Sequence, residues 1–363
     1  MKNTVALLFL LVCMQSIGYG QNKYTYSQPA ILDDGWKTNN LQSQQLDSIN
    51  VCRFFNQLSS VKHALHSIIL IKNGEIIIEE YFGDYSVNKQ HDLRSVTKSI
   101  TSILIGIAVD KGFIDSIDDP ISKYLNTLSP TKHLDKRKED ITIRHLLTMS
   151  SGLDCNDWDK KSKGQEDRIY RKSDWLQSFI DLPMLNDPGA VSNYCTMGQV
   201  LATEIVSQAS GRSIDQFAEE YVLHPLGINN YHWGHTSNKQ VIPSAKRIYL
   251  TSRDMGKIGQ LMLNKGKWGD TQVVSPQWVH ESMAKQTKIT GLDYGFFWWT
   301  IPFNVGGKEI ISKTATGNGG QYIMVFPDEN TVGVFTGGAY NSQNDKLPFK
   351  IMQDVFLPAS ANK

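Results

Sequence analysis

Cysteine is scarce in this chain: four in 363 residues are too few for a disulfide scaffold. An excess of one charge is missing as well. With 37 Lys and Arg against 36 Asp and Glu, no broad field draws the chain to nucleic acid. No apolar run reaches the roughly 20 residues that a bilayer crossing requires. Metal-ligand spacing is also lacking: His63 and His66 are neighbours, but neither His-Glu-x-x-His nor paired Cys-x-x-Cys occurs. No metal, cofactor or nucleic-acid partner is expected. With no internal repeat, no low-complexity tract and 40% apolar residues, the chain reads as one compact unit with a sizeable core.

The first twenty residues have the layout of a cleavable secretory signal: Lys2, an apolar run from Val5 to Met14, then Gly18 and Gly20. Cleavage after Gly20 would leave Gln21 first and make the protein exported, periplasmic or secreted. A lipid anchor on Cys13 is disfavoured by the bulk of Val12 before it. Removal of Cys13 leaves Cys52, Cys155 and Cys195, an odd number, so at least one thiol is free or intermolecular and no bridge is assigned.

Ile68 to Ile71 and Ile76 to Ile78 flank Asn73-Gly74, the pair best suited to a two-residue turn, and predict a hairpin. From Ser95 to Lys111 the apolar positions Ile100, Ile103, Leu104, Ile107 and Ala108 recur at helical spacing, and Gly112 supplies a stop. Residues 118–264 alternate helical patterns, such as Ile143 to Met149 and Gln199 to Gln208, with polar loops. The final hundred residues turn strand-like at Phe296 to Ile301, Lys308 to Lys313, Gln321 to Phe326 and Thr331 to Thr336. Strands at both ends with helices between them predict an α+β fold, an antiparallel sheet flanked by helices with an inserted, mainly helical subdomain. The α/β part would span about 45–95 and 265–360, the helical part about 96–264, within one domain from 21 to 363. A groove should form where the two parts meet.

The chemistry-bearing segment is Ser95-Val96-Thr97-Lys98 at the start of the buried helix. Three residues make nearly one turn, so Lys98 shares a face with Ser95. A serine hydroxyl becomes a nucleophile when a base takes its proton, and a lysine amine serves only when neutral. The apolar surroundings of Ile100, Ile103 and Leu104 disfavour the ammonium and should lower the lysine pKa. The helix N-terminus also offers N–H groups, Ser95's own among them, to a developing oxyanion. Against this stands the plain reading that serines cap helices and lysines coat them. The absence of any other charge between Lys98 and Asp110 argues otherwise.

Leu93-Arg94-Ser95-Val96-Thr97-Lys98-Ser99 resembles the nucleophile segment of the β-lactamase-related serine hydrolases: class C β-lactamases, D-Ala-D-Ala peptidases, family VIII carboxylesterases and 6-aminohexanoate-dimer hydrolases. The likeness continues through Gly112-Phe113-Ile114, Asp118-Asp119-Pro120-Ile121, Ile141 to Thr148 and Ser151-Gly152-Leu153, and covers Asn56 to Phe356. It implies that Tyr194, in Ser192-Asn193-Tyr194-Cys195-Thr196, relays a proton to the leaving group. Thr196 replaces the asparagine that holds the acylamido group of β-lactams, and the Tyr-Cys pair resembles the dimer-hydrolase and esterase branch. Cys195 itself is read as a small packed residue.

For the third motif, Lys313-Thr314-Ala315 lacks the glycine, so Thr316-Gly317-Asn318-Gly319 is the preferred match. Thr316 would then replace the usual cation, and Gly317 and Gly319 would lie at the substrate, with the N–H of Gly319 or a neighbour as second oxyanion donor. Tyr294, Phe296, Phe297, Trp298 and Trp299 read as a core-filling strand, and Asp254 as a helix-opening acid. Arg144 and His145 receive a structural reading.

The resemblance thus implies a serine hydrolase that cleaves a small ester or amide through an acyl-enzyme on Ser95. The alternatives are a β-lactamase or D-alanyl-D-alanine carboxypeptidase and, in another class, a penicillin-binding sensor that does not turn over.

Overall fold

The computed structural model describes residues 23–235 and 245–358, so the expected leader and its cleavage point lie outside the described residues. The Asn73-Gly74 hairpin forms as its turn chemistry requires. Asn73 and Gly74 adopt φ 51° and 80°, and the flanking strands are Leu65–Lys72 and Glu75–Tyr81. These pair with strands from the far end of the chain: Leu65–Lys72 lies antiparallel to Thr331–Gly337, with Ile69 opposite Val334.

Onward from Thr331–Gly337 the sheet runs through Gln321–Phe326, Lys308–Gly317, Trp299–Val305, Leu292–Tyr294 and Thr287–Ile289, nine strands in all. The outermost strand beyond the hairpin, Lys37–Thr38, pairs parallel with Glu75–Tyr81, so the sheet is mixed rather than wholly antiparallel. An α+β fold with a sheet contributed by both chain ends is what the pattern predicted.

Helix Val96–Asp110 follows its apolar spacing and is buried on every side from Val96 to Ala108. A helix apolar all round belongs in the centre of a domain. It packs between the sheet and helix Thr196–Ser210, and so forms the spine on which the intervening helices are hung. Its fit is close: a Cβ on Gly106 would meet the Trp278 indole at 2.3 Å.

Three departures from the pattern have physical causes. The helical stretch also contains strands Tyr231–His235 and Lys246–Leu250, which pair with each other, while His91–Asp92 adds to the second. Their residues carry too little alternation to mark them as strands. Helix Ser252–Leu263 already lies on the main sheet, where Gly256 and Gly259 let its backbone approach Ile71 and Val332, so the return to the sheet precedes residue 264. The aromatic run is split between two strands, Tyr294 ending one and Trp299 starting the next, because Phe297 takes φ 62° and turns the chain, although all five rings are buried in the core as expected.

Candidate active site

Ser95 occupies the N-cap of helix Val96–Asp110, yet its hydroxyl makes no capping bond to the first turn. A capping serine normally gives its oxygen to the N2 or N3 N–H. Here Ser95 Oγ instead accepts from Lys98 Nζ at 3.1 Å. Lys98 is only 5% exposed, and its Nζ lies 5.1 Å from the centroid of the Tyr194 ring. The structure therefore brings together Ser95, Lys98 and Tyr194, from residues almost a hundred positions apart.

The turn before the nucleophile is held under strain. Arg94 adopts φ 51°, a left-handed conformation costing about 1–3 kcal/mol in a residue with a side chain. Asp92 maintains it: Oδ1 accepts from the Arg94 N–H at 2.9 Å, and Oδ2 pairs with Arg94 Nε at 3.1 Å and Arg247 at 3.5 Å. Arg94 also lies 4.8 Å over the ring of Tyr340. The strand end then closes on this turn. A Cβ on Gly317 would stand 2.5 Å from the Leu93 carbonyl oxygen and 3.3 Å from Arg94 Cβ, so only glycine lets the strand come this close.

Thr316 and Gly319 fare differently. Thr316 is half-buried at the strand end and pairs with Tyr322. Gly319 turns away with φ 96°, packs where a Cβ would meet the Tyr340 ring at 2.5 Å, and accepts from the Ala339 N–H at 3.0 Å. Asn318 lines the cavity at Ser95, and exchanges hydrogen bonds of 2.9 Å with Asn341. Of this run Asn318, a neighbour of Gly319, is the residue that lines the cavity.

Tyr194 is nearly buried, its ring stacked on Trp158 at 4.8 Å and 5°, with Trp299 at 6.2 Å on the stack. Trp158 is 55% exposed and forms the outer rim. Cys195 is not a free packed residue: it is bonded to Cys155, and Cys52 remains the free thiol among the described residues. Thr196 opens helix Thr196–Ser210, and its N–H donates to Asp157 Oδ2 at 2.7 Å.

A cavity of about 80 Å³ adjoins the nucleophile, lined by Ser95 and Lys98 together with Arg94, Arg247, Glu166 and Asn318. Two larger hollows, about 850 and 920 Å³, lie along helix Ser48–Ser59 and do not include Ser95. Burial, reinforced by nearby Glu166, pushes the Asp157 carboxyl up to about 6, against the opposing pull of Thr196 and Lys98. Asp157, Trp158, Glu166 and Arg247 were all missed in the sequence. The loop carrying the first three has no periodicity, and its polar residues read as solvated. Arg144 and His145 serve structure as expected: His145 completes a capping box with Thr142, and Arg144 pairs with Asp118. Asp254 lies in the first turn of its helix, bonded to Thr251. Among the described residues no cluster of three or more metal-ligating side chains occurs, and no helix is long and apolar enough to cross a membrane.

Known proteins resemble this chain in sequence and in fold. A 6-aminohexanoate-dimer hydrolase of Paenarthrobacter ureafaciens is 22% identical over 287 residues, covering 73% of this chain and 70% of its own. Two solved structures share the fold. EstCE1, a hydrolase with promiscuous acyltransferase activity, superposes with a TM-score of 0.67 at 15% identity, over 85% of this chain and 98% of that one. A class C beta-lactamase does so with 0.62 at 16% identity, over 86% and 96%. The beta-lactamase family model matches residues 61–347, from ahead of the first hairpin strand to past the last strand, and the chain belongs to the beta-lactamase family.

Proposed function

We propose that this protein is a serine hydrolase that cleaves small esters or amides through an acyl-enzyme on Ser95. The observation that carries the reading is the 3.1 Å contact between Lys98 Nζ and an uncapped Ser95 hydroxyl, inside a wholly buried helix, with the Tyr194 ring against the same amine. In the forward reaction Lys98 accepts the Ser95 proton as Oγ attacks the carbonyl carbon, and Tyr194 passes a proton to the departing alcohol or amine. The Ser95 N–H and the strand end at Asn318 supply the donors for the oxyanion. Water then enters and attacks the acyl carbon as it loses its proton to the same pair, which returns a proton to Ser95 Oγ as the Oγ–acyl bond breaks and the acid leaves.

Esters and simple amides are preferred over β-lactams because Thr196, whose short side chain carries no amide, stands in place of the asparagine that grips an acylamido chain. The hydrolase names of the relatives and the family membership support the reaction class. One observation favours the alternative of a D-alanyl peptidase or β-lactamase. Arg94 and Arg247 both pair with Asp92 and both line the nucleophile cavity, where a guanidinium suits a substrate carboxylate. Export accords with the Cys155–Cys195 bond, since disulfides persist in oxidising compartments.

Intact-mass spectrometry after exposure to a fluorophosphonate probe tests the nucleophile. One adduct is expected on the wild type and none on Ser95→Ala, with p-nitrophenyl ester turnover falling on the order of 10⁴-fold or more. Nitrocefin hydrolysis faster than ester hydrolysis would overturn the substrate preference. An unlabelled wild type would favour a protein that binds without turnover.

A further inference from the structure

The reaction scheme leaves unused the segment that meets Tyr194 from the other side. Residues 155–158 run beside residues 193–196 and are joined to them at successive positions. Cys155 is bonded to Cys195. Asn156 Nδ2 donates to Asn193 Oδ1 at 3.4 Å. The Asp157 N–H donates to the Tyr194 carbonyl at 2.8 Å, and Asp157 Oδ2 accepts from the Thr196 N–H at 2.7 Å. Trp158 lays its indole flat on the Tyr194 ring. The residues on both sides of the phenol, and one face of its ring, are thus gripped by four consecutive side chains.

Capping the helix alone would ask for less. A helix N-terminus is satisfied most simply by the N-cap residue's own side chain. Cys195 occupies that position and makes no capping bond, so the acceptor arrives from Asp157, 39 residues earlier. Asp157 is also costly to keep there, because it is buried beside a second carboxylate, Glu166, whose own N–H donates to Asp157 Oδ1 at 3.1 Å. A perturbed acid bonded to two residues of the nucleophile cavity, Glu166 and Thr196, and in electrostatic contact with Lys98, marks a functional role more often than a structural one.

Building on the acyl-transfer reading above, we infer that Cys155–Trp158 is a clasp that fixes the Tyr194 phenol relative to Lys98 and Ser95, with Asp157 as its positioning residue and the Cys155–Cys195 bond as its covalent anchor. Asp157 touches no reacting atom. It acts through the Tyr194 carbonyl and the Thr196 N–H that follows it, where a displacement of about 1 Å is enough to cost on the order of 10²-fold in rate. The groups facing Asp157 are Glu166 and Tyr170 from the loop side, Lys98 from the nucleophile helix and Thr196 from its own partner helix. As pH falls through the range near 6 the carboxylate takes up a proton and holds the Thr196 N–H less strongly, so the clasp slackens.

The test compares wild type, Asp157→Asn and the double variant Cys155→Ser/Cys195→Ser on a p-nitrophenyl acyl ester between about pH 5 and 9. Melting curves and the stoichiometry of fluorophosphonate labelling check folding. The expected result is a kcat lower by roughly 10- to 100-fold in both variants, KM within about threefold of wild type, and full labelling of Ser95. The wild type should show an acid limb in kcat that disappears in Asp157→Asn, and Glu166→Gln should move that limb to lower pH by removing the like charge. A folded Asp157→Asn protein with wild-type kcat, or with the acid limb unchanged, overturns the clasp. Should the cysteine variant fail to fold, Asp157→Asn decides alone. Should the wild type label without turning over the ester, the labelling rate replaces kcat with the same expectations. A wild type that neither labels nor hydrolyses brings down the acyl-transfer reading itself, a result distinct from failure of the clasp.

Discussion

The two ends of the site are held by different physics. Ser95 and Lys98 ride on a helix whose every face is buried, so their spacing is set by the packing of the whole core. Tyr194 sits at the end of a loop and owes its place to a disulfide, a carboxylate and an indole. Packing is redundant, because many small contacts share the burden and none decides the geometry. A polar clasp is not redundant. Damage to the first end should therefore appear as lost stability, and damage to the second as lost turnover.

The sharpest way to break that contrast is to hollow out the nucleophile helix. Ile103 is fully buried within it, and Ile103→Ala removes side-chain volume without touching the site. The expected cost is about 2–5 kcal/mol of stability, read from urea unfolding. Per active site titrated with fluorophosphonate, kcat should stay within about threefold of wild type. If the folded variant instead loses as much kcat as Asp157→Asn, packing and clasp do not differ in kind.

A smaller effect, intermediate between the two types, is expected where the strand meets the nucleophile turn. Gly317→Ala forces a Cβ to within 2.5 Å of the Leu93 carbonyl oxygen. Overpacking of this kind costs about 1–3 kcal/mol. Because the displaced atoms belong to the turn that aims Ser95 and to the strand end that carries Asn318, kcat should also fall, by roughly tenfold. A drop in melting temperature with kcat unchanged would show that the strand end takes no part in catalysis.

The same contrast explains what the sequence revealed. The hairpin, the buried helix and the late strands were legible because apolar spacing and turn residues report burial directly, as at Asn73-Gly74 and Ile100 to Ile107. Ser95 and Lys98 were legible because they are three residues apart on one such element. Asp157, Glu166, Trp158 and the Cys155–Cys195 pairing were not, since their meaning lies in a contact with a loop some forty residues away and in no local period. An odd count of cysteines left every pairing open, and only the meeting of the two loops chose one.

The nucleophile end does have one polar prop, and it gives the smallest predicted effect. His66 Nδ1 and His91 Nε2 are 2.8 Å apart, so the pair shares one proton between the two nitrogens, and His91 directly precedes the Asp92 that holds the strained Arg94 turn. Burial, with the charge of His91 next, pushes His66 down to about 4, and burial lowers His91 too. A histidine whose folded pKa lies below its unfolded value of about 6.5 binds fewer protons folded than unfolded between those limits, so it makes stability rise with pH across that window. Stability from the neutral pair is thus present above about pH 6.5 and lost as the pH falls toward 4. Urea unfolding of wild type and His66→Gln at the two ends of the window should show a smaller pH difference in the variant. His66 is partly solvated, which keeps the difference modest. Equal pH dependence in the two proteins would remove the pair as a prop and leave the nucleophile end held by packing and Asp92 alone.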